Sequence, residues 1–285
     1  VSRPRIAGEV HPAAWLAWAA CAAAVAFVTT NPWYLGTAIA LAWFVYASCR
    51  VDGPTARSFR VFLLAGLIAI VLRTALVLFG PVVPGSVAAA ALEGMRLAAL
   101  LAIFGAFNAV TDPFGVVRLA PRRFHEPALA AALALSIAPR TIASVHRVRE
   151  AQAIRGLPVA RMRGLPSLAV PVLATGLEEA MTLAESMDAR GHGRGRRTRY
   201  RPSRWTPAAI AVVAAGAVAA TTFLTVAFGG GATLHPSTFP LRMAPVDPWL
   251  LVAECLLALP AFVLARPTRT DVLDANDLVR TEDPA

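Results

Sequence analysis

The sequence contains no lysine; all 27 of its basic residues are arginine. That absence excludes a phosphate loop with its Lys, a Schiff-base amine and a Ser-Lys nucleophile pair, so any ATP hydrolysis that serves this chain belongs to another. Charge is scarce as well. Charged residues make up 15% of the 285 positions and apolar ones 57%, with a mean hydropathy of +0.59, whereas a soluble domain carries about 25% charged and about 45–50% apolar residues. These proportions indicate a polytopic membrane protein, and the helix-length apolar runs described below make it all-α. Cysteine is nearly missing: Cys21, Cys49 and Cys255 lie in or beside apolar runs with no C-x-x-C spacing, which leaves them as small core residues. The histidines, His11, His125, His146, His192 and His235, are scattered, and none stands with a Cys or carboxylate at metal-ligand spacing. Neither a resident metal nor a cofactor is expected.

What the sequence has in abundance is long apolar runs. A helix needs about 20 apolar residues to cross about 30 Å of hydrocarbon. Ala13–Thr29, Trp33–Ala47, Arg60–Phe79, Val87–Phe107 and Pro207–Phe228 approach or meet that length, and a shorter sixth run, Trp249–Ala265, lies between Asp247-Pro248 and Arg266-Pro267. Arg3 and Arg5 ahead of the first run resemble a secretory signal, but the similar runs that follow at once favour a retained first span. Six spans put both termini on one side. That side, which includes residues 50–60 and 108–206, holds 24 arginines against Arg242 alone on the other, with Arg73 and Arg96 inside spans. The positive-inside rule makes the arginine-rich side cytoplasmic. Trp15, Trp33, Trp205 and Trp249 fall near span ends, where contact with headgroups is expected.

The chain divides into four regions. Residues 1–107 form an amino-terminal membrane region of about four spans, 108–206 a cytoplasmic domain, 207–265 a carboxy-terminal membrane region of two spans, and 266–285 an acidic, proline-bearing tail expected to be disordered. Net charge is concentrated in the second region, at +9, against +4 for residues 1–107 and −3 for residues 207–285. This basic block has helical patterning. Pro127–Ala138 is an apolar stretch too short to span comfortably and typical of a buried or interfacial helix. Pro139 should kink or restart that helix, after which Ile142, Val145 and Val148 recur at three-residue spacing up to Glu150-Ala151-Gln152-Ala153-Ile154-Arg155-Gly156. An Arg in the last turn and a Gly just past it are a helix stop signal. From Pro166 the construction repeats, through Leu177, Ala180 and Leu183 to Glu185-Ser186-Met187-Asp188-Ala189-Arg190-Gly191. Aligned on their glycines, the segments share Glu150/Glu185, Arg155/Arg190 and Gly156/Gly191, and upstream Ile142/Leu177 and Val148/Leu183 coincide. Each ending presents a planar fork of donors, suited to a carboxylate, at a projecting tip. Two equivalent tips match something with two equivalent docking surfaces.

The two Arg-Gly endings, the basic stretch Arg196-Arg197-Thr198-Arg199-Tyr200 and Thr111-Asp112-Pro113 after the fourth span resemble the transmembrane T component of energy-coupling factor (ECF) transporters, the EcfT/CbiQ-like family. The resemblance is specific over 108–206 and general in the flanking spans. The first ending departs from the family's Ala-Arg-Gly pattern, reading Ala153-Ile154-Arg155-Gly156 with Ile before the Arg. The resemblance implies a non-catalytic energy-coupling subunit in a bacterial plasma membrane, serving uptake of a vitamin or a metal ion. It implies as partners two ABC-type ATPase subunits or a fused pair, each receiving one tip in a groove, and a small membrane substrate-binding (S) component. Ala153, Arg155, Gly156, Ala189, Arg190 and Gly191 then couple to the ATPases, and Glu150, Gln152, Glu185 and Asp188 support the coupling helices. The alternatives are an integral membrane enzyme, which should show clustered carboxylates or His beside a span, and a self-contained secondary transporter, which should show polar interruptions in matching spans of two repeats. Neither pattern is evident in the sequence.

Other segments carry less. Asp52-Gly53-Pro54-Thr55-Ala56-Arg57 with Gly66 looks like the opening of the CDP-alcohol phosphotransferase signature, but Ile70 stands where a metal-holding aspartate belongs; a Gly-Pro turn between spans explains the segment. Arg73, Glu93 and Arg96 are charges within spans at similar depth, and they are expected to form an intramembrane cluster, either a structural clasp or part of the surface against the S component. The Arg194–Arg204 stretch, next to a membrane, is expected to meet lipid headgroups or an acidic partner surface rather than nucleic acid.

Overall fold

The computed structural model describes residues 11–49, 54–79, 83–155, 165–192, 205–231, 233–237 and 245–264. Gly156, Arg3, Arg5, the Asp52-Gly53 segment, the Arg194–Arg204 stretch, Arg242 and the tail from Arg266 lie outside the described residues. Among the described residues there is no strand, and the helices run α1 (Pro12–Val28), α2 (Pro32–Cys49), α3 (Pro54–Val77), α4 (Pro84–Val110), α5 (Pro113–Val117), α6 (His125–Ile154), α7 (Leu165–Ala189), α8 (Pro207–Phe228), α9 (Pro248–Cys255) and α10 (Leu259–Leu264). The protein is thus an all-α polytopic membrane protein.

Helix starts obey a common rule. From α1 to α5, and again at α8 and α9, the first residue is Pro, whose missing N–H is one of the donors a first turn leaves unused. The residue before the Pro often supplies the cap. His11 Nδ1 accepts from the Ala13 backbone N at 3.2 Å, Asn31 Oδ1 from Trp33 at 3.1 Å, and Asp112 Oδ1 from Phe114 at 3.1 Å. Thr206 Oγ1 accepts from Ala209 at 3.2 Å, and Asp247 Oδ1 from Trp249 at 3.1 Å.

Contacts divide the chain into two compact units, Val1–Val116 with Ser203–Ala285, and Val117–Pro202. In the first unit α3 and α4 are an antiparallel pair packed through small residues. A Cβ added at Gly94 would lie 2.7 Å from Ile70 Cα, one at Gly66 3.1 Å from Ala98 Cα, and one at Gly105 2.8 Å from Phe62 Cβ. Gly94, Ala98, Ala102 and Ala106 recur every fourth residue, so that face of α4 offers almost no side chain and the backbones close together, as membrane helices do in the absence of a hydrophobic driving force. α1 packs on α8, where a Cβ at Gly216 would meet Cys21 Cβ at 3.3 Å.

Aromatic pairs also pack in this core. Tyr46 stacks on Phe59 with ring centroids 4.0 Å apart, and Tyr34 meets the Phe223 ring edge-on at 5.4 Å. Trp15, expected at the headgroup level, is instead buried edge-on to Trp18, because α1 is enclosed by neighbouring helices at that point. Trp33, Trp205 and Trp249 are exposed. The loop after α8 is tied to the α1–α2 turn: Thr29 Oγ1 and the Thr30 backbone N both donate to Leu234 O, at 2.9 and 3.0 Å, and Asn31 Nδ2 donates to Thr233 O at 2.9 Å.

The last apolar run, expected as one helix over Trp249–Ala265, is interrupted. α9 passes into a tighter 3-10 turn at Leu256–Ala258 before α10 begins. Pro260 cannot donate to the carbonyl four residues back. The loosened backbone is served by other helices: Trp18 Nε1 donates to Leu257 O at 2.9 Å, and Cys49 Sγ to Pro260 O at 3.6 Å. Among the described residues, Ser58–Val77, Pro84–Val110, Glu126–Ile154 and Pro207–Phe228 are long and apolar enough to cross a membrane, and Pro12–Val28 and Pro248–Leu264 are shorter apolar helices.

In the second unit α6 is continuous through Pro139 and α7 through Pro171. The restart expected at Pro139 does not occur: α6 is one helix of 30 residues with Pro139 inside it. A single proline removes one donor from a long ladder, and hydroxyls reinforce the backbone on both sides: Ser136 Oγ donates to Leu133 O at 2.8 Å and Thr141 Oγ1 to Ile137 O at 3.2 Å. Thr175 Oγ1 does the same for Pro171 O at 3.0 Å.

Candidate functional site

α6 and α7 pack on each other within the second unit, and their matching positions have matching environments. Ile142 and Leu177 are 60% and 64% exposed, Val148 and Leu183 are half-buried, and Glu150 and Glu185 are both on the surface. Gln152 is buried, whereas Ala153, Arg155, Asp188, Ala189 and Arg190 are exposed.

The end of α7 is geometrically explicit. Gly191 has φ +74°, the left-handed region that side chains with a Cβ resist, and nothing but its backbone conformation demands glycine there. With Gly191 so placed, the His192 backbone N donates to Met187 O at 2.9 Å and the Gly191 N to Asp188 O at 2.8 Å. This is a Schellman closure, which uses up carbonyls that the last turn would leave open. Arg190, at the cap position, projects where the chain turns away. At the end of α6 the Arg155 backbone N donates to Ala151 O at 3.3 Å, and Ile154 is 87% exposed. Both arginines therefore stand exposed at the negative ends of helices.

Two further features of this unit go beyond the paired helix endings. Val170, Leu173, Leu177 and Met181 lie three or four residues apart along α7 and are all more than half exposed, so they form an uncovered apolar stripe on one helical face. A cavity of about 350 Å³ opens between Leu133 and Ile137 of α6 and Leu183 and Met187 of α7, with Asp188 and His192 at its edge.

In the first unit the expected trio of span charges resolves into a pair and a separate contact. Arg73 Nε donates to Glu93 Oε2 at 2.9 Å, and Arg73 Nη2 meets the same oxygen; the two side chains are 50% and 40% exposed. Arg96 does not join them. Although it is one helical turn from Glu93, its guanidinium lies over the Phe27 ring of α1, 5.5 Å from the centroid. The three-membered cluster is corrected accordingly: Glu93 is directed to α3 and Arg96 to α1.

One buried carboxylate belongs to none of the sequence motifs. Glu254, in α9, is 0% exposed, and Thr37 Oγ1 lies 2.6 Å from its Oε2. Its place inside an apolar run is the signal the sequence offers, since an ionisable group within a span is a functional-site candidate by default. Two histidines make local contacts: His11 stacks on Trp205 with centroids 4.5 Å apart, and His235 Nδ1 is 3.0 Å from Thr30 Oγ1. Among the described residues no group of three or more His, Cys, Asp or Glu side chains is arranged to hold a metal ion.

Comparison with known proteins gives this geometry a context. The CbiQ family profile, described as cobalt transport protein, matches residues 5–200. The energy-coupling factor transporter transmembrane protein EcfT of Exiguobacterium sibiricum is 32% identical over 108 residues, covering 35% of this chain and 40% of that protein. EcfT of Thermanaerovibrio acidaminovorans is 33% identical over 133 residues, covering 41% of this chain and 49% of the relative. The aligned region thus spans less than half the length of these curated relatives. With the family profile matched over more than half of its length, the chain belongs to the CbiQ family of transport proteins.

Proposed function

We propose that this chain is the energy-coupling transmembrane subunit of an ECF-type ABC importer for a micronutrient, a vitamin or a metal ion. The observation that carries the reading is the pair of equivalent helix ends in one unit, α6 and α7, with Arg155 and Arg190 exposed at their tips. Each tip docks in a groove of one of two ABC-type ATPase subunits, separate or fused. An exposed ion pair contributes only about 0–1 kcal/mol, so the grooves must remove water from the guanidinium, and a planar fork then binds a carboxylate through two parallel hydrogen bonds. Closure of the ATPases on nucleotide moves the tips, the helices carry the motion, and the apolar stripe Val170, Leu173, Leu177 and Met181 passes it to a small substrate-binding membrane component. ATP hydrolysis belongs to the ATPases, in keeping with a chain that has no lysine.

The membrane arrangement belongs to the same proposal. α1, α2, α3, α4, α8 and the interrupted α9–α10 segment cross a bacterial plasma membrane, with both termini and the second unit on the cytoplasmic side. α6 has the length and composition of a span, but Arg140, His146, Arg147, Arg149 and Glu150 crowd its second half, which supports a cytoplasmic place for it.

Copurification with the ATPases tests the docking. Arg155→Ala and Arg190→Ala should each weaken assembly by about 2–5 kcal/mol, because truncating one side of a desolvated pair leaves the other side unpaired. Undiminished assembly and transport in the double variant would refute the reading.

A further inference from the structure

Glu254 and Thr37 join the interrupted last apolar segment to α2, and the hydrogens available to them do not add up if Glu254 is ionised. Thr37 Oγ1 lies 2.6 Å from Glu254 Oε2, 2.9 Å from Tyr34 O and 3.1 Å from Trp33 O. A threonine hydroxyl has one hydrogen to give and two lone pairs. An ionised Glu254 takes that hydrogen and leaves the hydroxyl oxygen facing two carbonyl oxygens with nothing between. Its other oxygen, Oε1, is buried without a hydrogen-bond partner. The Arg73–Glu93 ion pair involves other helices, and among the described residues no arginine is paired with Glu254.

The other titratable groups on the elements around it do not supply a cation either. Tyr34 of α2 accepts through its hydroxyl from the Asp247 backbone N at 2.9 Å, and the Asp247 carboxylate is engaged with Trp249 N at 3.1 Å. A buried anion with one partner and no counter-ion is among the most costly arrangements in an apolar medium.

We infer that Glu254 is a proton-binding site: an un-ionised carboxylic acid whose Oε2–H donates to Thr37 Oγ1, freeing the Thr37 hydrogen for the Tyr34 carbonyl. One proton then completes the chain Glu254 to Thr37 to Tyr34 O and holds α9 against α2. This inference concerns the first unit alone and stands whether or not the tips of α6 and α7 dock on ATPases.

Infrared spectroscopy of the full chain in lipid nanodiscs tests it, because an un-ionised acid has a carbonyl stretch that a carboxylate lacks. The wild-type spectrum should contain such a band that Glu254→Gln removes, while the Gln variant, whose carboxamide has the same shape and an N–H for Thr37, keeps an unfolding temperature close to the wild type. Thr37→Val should shift the band by withdrawing the acceptor, and Thr37→Ser should leave it in place. Identical spectra for wild type and Glu254→Gln in that region would overturn the proposal. Should the Gln variant fail to fold, Thr37→Val decides alone: a shifted band supports the proposal and an unshifted one would overturn it.

Discussion

Gly191 is the residue on which the shape of the α7 tip depends. Its φ of +74° is met without cost by glycine alone among common residues, and no neighbour lies within 4 Å of where a Cβ would stand. Gly191→Ala should therefore destabilise the turn through backbone strain of about 1–2 kcal/mol, with no clash to confuse the result. Hydrogen exchange of the His192 and Gly191 amides, which close onto Met187 and Asp188, should quicken in the variant while the amides in the middle of α7 keep their protection. Unchanged exchange would mean that Arg190 is held by something other than this closure. The span charges teach a related lesson about single residues. Glu93 sits between two arginines in sequence, and one of them, Arg73, pairs with it while an aromatic ring takes the other. Spacing along one helix identifies which groups can meet; a facing helix decides which of them do.

The α3–α4 pair shows how glycine and alanine work as a surface at the level of the element. Gly94→Leu would drive a Cβ to 2.7 Å from the Ile70 Cα, a backbone atom that cannot swing aside, so α3 and α4 must separate. The expected cost is about 1–3 kcal/mol, as for other overpacked sites, and thermal unfolding of the purified protein should register it; an unchanged unfolding temperature would show that the pair tolerates a wider spacing.

Helix ends are largely legible in the sequence. The apolar runs Pro207–Phe228 and Val87–Phe107 lie in α8 and α4, and the stop at Arg155 and Arg190 is visible from their Gly followers. Interruptions are not. Pro139 and Pro171 leave their helices unbroken, whereas the chain tightens into a 3-10 turn before Pro260, where Trp18 donates to Leu257 O and Cys49 to Pro260 O. The contacts that Trp18 and Cys49 make there come from remote parts of the chain, and local pattern holds no record of them. Glu254 is obscured for the same reason, its partner Thr37 being on another helix.

At the scale of the molecule, the division of arginine predicts orientation. In a cysteine-free background, a cysteine at Val83 should react with a membrane-impermeant maleimide added outside intact cells, and one at Ala189 only after permeabilisation. The reverse pattern would contradict the assignment of the arginine-rich side to the cytoplasm. The Pro-initiated helices bear on the whole assembly in another way. A helix that opens on Pro behind a side-chain cap has its first residue specified by covalent structure and cannot slide its start by a residue or two. Membranes differ in thickness by a few ångströms, and a span must meet the difference by tilting, by fraying or by deforming lipid. Here one end of each such span is a fixed datum, so adaptation to a thicker or thinner bilayer falls on tilt and on the carboxy-terminal turns.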